Sequence, residues 1–136
     1  MKPTPEQEAQ LAELPFAVLA LTLASDTNLY DEEIAAAQRG LNTLDIGELR
    51  SAVSATEHSP TELFEMAWLE DDPRETIANR AALLSSVFGP SRARSLCEEL
   101  AVLSRLVGAA SDRPLRGHDR LAFVRAAERA LGVAPS

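Results

Sequence analysis

Ser59-Pro60-Thr61-Glu62-Leu63-Phe64-Glu65-Met66-Ala67-Trp68-Leu69-Glu70-Asp71-Asp72-Pro73-Arg74-Glu75 holds two helix starts written in full. Ser59 and Asp72 each offer a short side-chain acceptor to free backbone N–H groups. Pro60 and Pro73 follow at the first helical position, where a missing N–H costs nothing, and Glu62 and Glu75 stand three residues after the cap. Acids in a first turn also suit the positive end of the helix dipole. Between the two starts, Leu63, Phe64, Ala67 and Trp68 form one broad apolar face, with Phe64 and Trp68 four apart and therefore on one side.

Outward from this stretch the same signals recur. Thr4-Pro5-Glu6-Gln7 and Asp45-Ile46-Gly47-Glu48 have the capping-box form, and Gly89-Pro90 breaks the chain. Leu96, Leu100, Leu103, Leu106, Val107 and Ala110 recur at intervals of three and four and leave Arg92, Glu99 and Arg105 outside. These signals predict seven helices, over residues 5–24 (kinked or split at Pro15), 31–44, 46–56, 60–70, 73–88, 91–111 and 117–131, with Gly132 as the C′ residue of the last. No alternating run suggests a strand. The apolar content is mostly Ala and Leu, with few β-branched or aromatic residues, which suits closely packed helices. The expected fold is all-α, about seven helices in one compact bundle, over residues 4–133 with 1–3 and 134–136 as loose ends.

Charge is unevenly distributed. Residues 1–75 carry 16 acids against 4 bases, a balance of −12, while residues 76–136 carry 5 acids against 9 arginines, or +4. A net charge of −8 argues against general nucleic-acid binding, which needs a basic face to displace counterions from phosphates. Opposite charges meeting across the fold explain the asymmetry. Residues 1–13 are polar and acidic, so no secretory signal is expected, and the apolar stretch 14–24 is too short to span a bilayer. A single cysteine, Cys97, forms no internal disulfide, and a cytoplasmic location is expected.

The stretch Ala24-Ser25-Asp26-Thr27-Asn28-Leu29 recurs 86 positions later as Ala110-Ser111-Asp112-Arg113-Pro114-Leu115. Glu33 and Asp119 follow four residues on, and the same offset matches Ala36 with Ala122 and Arg39 with Arg125. Such self-similarity mirrors a repeated unit of helix, acidic turn and helix, with a pseudo-twofold relation between the copies. If the two turns meet, Asp26, Asp31, Glu33, Asp112 and Asp119 could supply oxygen ligands for a hard divalent cation, Ca²⁺ or Mg²⁺. The same acids are equally suited to capping the helices that follow and complementing their dipoles.

This doubled pattern resembles the TerB-like tellurite-resistance family, to which the N-terminal domain of the DjlA co-chaperones is related. The matching residues are Ala24, Asp26, Leu29, Glu32 and Glu33 in the first copy, and Ala110, Asp112, Leu115 and Asp119 in the second. The closing Ala127-x-x-Ala130-Leu131-Gly132-Val133 is similar to the family's last helix. Thr27 and Arg113 stand where the family has Gly, and Asp119 replaces a Glu. The resemblance implies a bacterial domain of stress or metal-ion response that binds rather than catalyses, with the turn acids as divalent-metal ligands.

Other residues point less far. His58 and His118, the two histidines, have no cysteine pair near them for a zinc site. Cys97 sits mid-helix on the inner face, where a thiol is inert. No phosphate loop, nucleophile elbow or Cys-x-x-Cys occurs, so no reaction is announced and no organic cofactor is expected. The acidic run Glu62, Glu65, Glu70, Asp71 and Asp72 is either a solvated face or a surface for a basic protein partner, with Glu62, Glu65, Asp71 and Asp72 as the binding residues. Two functions follow: a helical binding or sensor domain with a divalent cation at the acidic turns, or a small acidic protein–protein interaction module of adaptor or immunity type. Homodimerisation is compatible with either.

Overall fold

The computed structural model describes residues 3–23, 31–70, 72–110 and 117–133, the side chains of 31–33 and 117–121 excepted. Seven helices follow one another: α1 (Pro5–Thr22), α2 (Asp31–Thr43), α3 (Gly47–Ala55), α4 (Pro60–Trp68), α5 (Pro73–Phe88), α6 (Pro90–Gly108) and α7 (Gly117–Leu131). No strand occurs among the described residues, and the all-α bundle expected from the sequence is what forms. The acidic repeat itself, residues 24–30 and 111–116, lies outside the described residues, as does Asp71.

The caps form where their chemistry is complete. Thr4 accepts from the Gln7 N–H at 3.2 Å while Gln7 accepts from the Thr4 N–H at 2.9 Å. Ser59 and Glu62 make the same reciprocal pair at 3.2 and 3.0 Å. Asp72 caps α5 at the expected position but accepts from the Arg74 N–H at 3.2 Å, and the box expected with Glu75 does not form. The predicted box at Asp45 does not form, and α3 starts after Ile46 with no side-chain cap. Arg92 has drawn both carboxylates away: it donates to Glu48 at 2.5 and 2.6 Å and to Asp45 at 3.3 Å. At the far end, Gly132 takes φ +75° and closes α7 with a Schellman pair, Gly132 N–H to Arg129 O and Val133 N–H to Glu128 O.

α1 is the central helix. Every residue from Leu14 to Leu23 is buried, and it packs against α3, α4, α5, α6 and α7. Because it is enclosed on several sides it has no single apolar stripe. Pro15 lies within it and is buried, so the helix is not split there, although Pro15 offers no N–H to the Leu11 carbonyl. A buried hydroxyl pair, Thr22 Oγ1 to Ser104 Oγ at 2.6 Å, ties α1 to α6, with Thr22 also donating to the Val18 carbonyl at 2.8 Å. On α6, Leu96, Leu100, Leu103 and Val107 face the core as their spacing predicts, but Leu106 is 48% exposed. Arg92 and Arg105 are half-buried in ion pairs rather than solvated.

At the 86-residue offset Asp31 and Gly117 both open a helix, α2 following α1 and α7 following α6. Their packing differs. α6 and α7 lie directly against each other, clamped by Arg105 Nη2 to Glu128 Oε2 at 2.6 Å, with Glu128 fully buried. Among the described residues α1 and α2 are not packed as a pair, and α2 leans on α6 instead. At the same offset Arg105 corresponds to Leu19 and Glu128 to Asn42, so the polar clamp between α6 and α7 has no counterpart between α1 and α2.

Candidate functional site

α1, α2 and α4 enclose a groove of about 580 Å³. Phe16 and Leu19 of α1 and Leu23, its C-cap, form the floor. One wall is Ile34, Ala37, Gln38 and Leu41, at positions i, i+3, i+4 and i+7 of α2. The other is Thr61, Phe64, Glu65 and Trp68, with the same spacing on α4, extended by Pro60 and Leu69. Each wall is therefore a complete helix face.

Both wall helices carry two apolar stripes, and this is why the groove exists. α4 uses Leu63 and Ala67 for the core, both buried, and turns Phe64 and Trp68 to the groove. Those two rings stack with centroids 5.6 Å apart, which fixes the wall as a rigid aromatic surface. α2 sends Ala36 and Gly40 towards the core and keeps Ile34, Ala37 and Leu41 for the groove. Ile34, 41% exposed, and Leu69, 81% exposed, stand on opposite lips. The sequence carried a signal for this in the width of the 63–68 apolar face, which exceeds what a nine-residue helix needs to reach the core. Nothing in it distinguished the stripe that goes inwards from the one that does not.

Of the four acids expected to meet a partner, the three that are described, Glu62, Glu65 and Asp72, have different surroundings. Glu62 belongs to the Ser59 capping box and also lies 3.5 Å from His58 Nδ1, so the Ser59 N–H, the Ser59 hydroxyl and His58 hold its carboxyl below the ordinary range. Asp72 caps α5 and pairs with Arg74 at 3.1 Å. Glu70, of the same run, accepts from Thr76 Oγ1 at 2.9 Å. Asp71 lies outside the described residues. Glu65 alone of the described acids in this run makes no hydrogen bond or ion pair, and it stands on the groove wall, exposed.

The cation expectation falls outside the described structure: Asp26 and Asp112 are not described, nor are the side chains of Asp31, Glu33, Asp119 and His118. Among the described residues no group of three or more His, Cys, Asp or Glu side chains is placed to hold a metal ion. Cys97 is buried as expected, and burial, assisted by the charge of Glu98, pushes its thiol up to about 11. It lines a second cleft of about 780 Å³ between α5, α6 and the end of α7. That cleft is floored by alanines and carries Arg94 and Arg129 opposite Glu98, so it lacks both the aromatic wall and the single sign of charge of the first. No protein-family model, no curated protein and no solved structure matches this chain.

Proposed function

We propose that this chain is a non-enzymatic helical binding domain that engages a protein partner through the groove between α1, α2 and α4. The observation that carries this reading is the apolar lining of the groove, with Ile34 and Leu69 exposed at its edges and no described residue covering it, the kind of surface patch that marks an interaction site. Its side chains suit the burial of apolar area, with Gln38, Thr61 and Glu65 to orient what enters. This is the interaction module expected from the acidic run, relocated: the partner surface is the groove, and Glu65 is the member of the run that belongs to it. No described helix is long and apolar enough to cross a membrane, and a single buried thiol suits a reducing compartment, where we place the chain.

A photo-reactive benzophenone amino acid at Leu69 tests the reading, because that side chain is exposed enough to tolerate replacement. In cells that make the protein, irradiation should give a discrete polypeptide adduct from position 69 and none from exposed Ser95 on α6. The same ladder from both positions, or none from 69, rejects it.

The acidic repeat supports a separate proposal, carried by the sequence and the TerB-like resemblance alone, that the two turns hold Ca²⁺ or Mg²⁺ in a stress- or metal-responsive domain. Millimolar cation should then raise the melting temperature, and Asp26→Asn combined with Asp112→Asn should abolish the rise. A melting temperature indifferent to cations rejects that proposal and leaves the groove untouched.

A further inference from the structure

We infer that the occupant of the groove is an amphipathic helix whose apolar face lies on Ile34, Phe64 and Trp68 and whose flanking Lys or Arg side chains meet Glu65. This deepens the binding reading above and rests on it.

Shape argues for a helix. The groove is bounded by three helix faces, each wall repeating at i, i+3, i+4 and i+7, so its ridges run at the inclination that a fourth helix interdigitates with. An extended peptide would need main-chain partners from a sheet edge, and the described walls spend their backbone groups within helices.

Charge argues for a basic one. The residues that line the groove include one carboxylate, Glu65, and no lysine or arginine, and α1, α2 and α4 all lie in the half of the chain with a balance of −12. The carboxylate on the groove wall, Glu65, is not committed to a cap or an ion pair among the described residues, while its neighbours Glu62 and Glu70 are. A carboxylate beside a low-dielectric apolar groove attracts cationic ligands. Lys and Arg flanking an apolar stripe would bury their methylene stems on the lips formed by Ile34 and Leu69.

Trp68 is the only tryptophan and lines the groove, so its emission reports on occupancy. The probes are synthetic helical peptides of about 18 residues, or five turns: Leu/Lys, Leu/Gln and Leu/Glu peptides with one apolar face, and a Lys/Gln peptide without one. The Leu/Lys peptide should shift Trp68 emission to the blue, saturably, and bind about tenfold more tightly than the Leu/Gln peptide at low salt, the gap closing at high salt. The Leu/Glu and Lys/Gln peptides should not shift it. Glu65→Lys and, more mildly, Glu65→Gln should weaken the Leu/Lys peptide and leave the Leu/Gln peptide unchanged, with far-UV dichroism confirming the fold. Equal binding of the three amphipathic peptides overturns the charge assignment while the groove reading stands. No peptide response alongside a position-69 adduct overturns the helical occupant alone. A shift with phosphatidylglycerol vesicles in place of the peptides overturns the proposal in favour of a membrane surface.

Discussion

Arg92 reorganises the start of α3. In the sequence, Asp45 and Glu48 carry the spacing of a capping box, but a guanidinium 44 residues further on from Glu48 offers both carboxylates charge-assisted bonds, which a neutral N–H cannot match. Those bonds hold the Glu48 carboxyl below its ordinary value of 4.5. A depressed folded pKa means that the stabilisation is complete above the unfolded value and is lost as pH falls through the folded one. Glu48→Gln should therefore lower stability at neutral pH by about 1 kcal/mol and flatten the acid limb of the urea midpoint against pH below about 4.5. A wild-type acid limb unchanged in the variant contradicts the pairing. Cys97 makes a second prediction at this scale. With its thiol pushed up to about 11 by burial, the reactive thiolate is scarce at neutral pH, and iodoacetamide should modify the folded protein on the order of a hundredfold more slowly than the urea-unfolded chain. Comparable rates would place Cys97 outside the core. Local signals such as the Thr4 and Ser59 boxes were readable because both partners lie within three residues. The fate of Asp45 was not, because its partner is distant in sequence.

Between helices, the crossing of α2 and α6 depends on Gly40. A Cβ there would stand 2.5 Å from Leu103 Cδ1, and Leu103 is fully buried, so its side chain would have to shift within the core. Gly40→Ala should lose roughly 1–3 kcal/mol to overpacking, although Ala favours a helix by about 1 kcal/mol over Gly. Gly47→Ala, with nothing within 4 Å of its Cβ, should be neutral or slightly stabilising. Urea unfolding of the two variants decides the matter, and a stabilised Gly40→Ala would mean that α2 does not approach α6 this closely. Helix bounds were largely legible in the sequence: α5 and α7 have the limits their caps predict, and α6 begins one residue earlier because Pro90 opens it rather than preceding it. The face of each helix was less so. Leu106 keeps the core spacing yet is half-exposed, and periodicity alone does not say how many neighbours surround a helix.

Across the molecule, the opposed charges of the two halves meet as the composition suggested. Arg80 of α5 reaches Glu13 of α1 at 3.2 Å, and Arg92 of α6 reaches Glu48 of α3. These pairs consume arginines of the basic half and leave the groove, made only from helices of the acidic half, without cationic cover among its lining residues. The groove itself was not legible, since its floor, its two walls and its lips come from residues as far apart as Phe16 and Leu69, each reading locally as ordinary core. We propose that this groove, rather than the cleft beside Cys97, receives the partner. Methyl NMR during titration with the Leu/Lys peptide distinguishes the two surfaces. Shifts are expected at Leu19, Leu23, Ile34, Leu41 and Leu69, with Leu84, Leu96 and Leu131 unmoved. Shifts centred on Leu131 and its neighbours, with Ile34 and Leu69 silent, would contradict it.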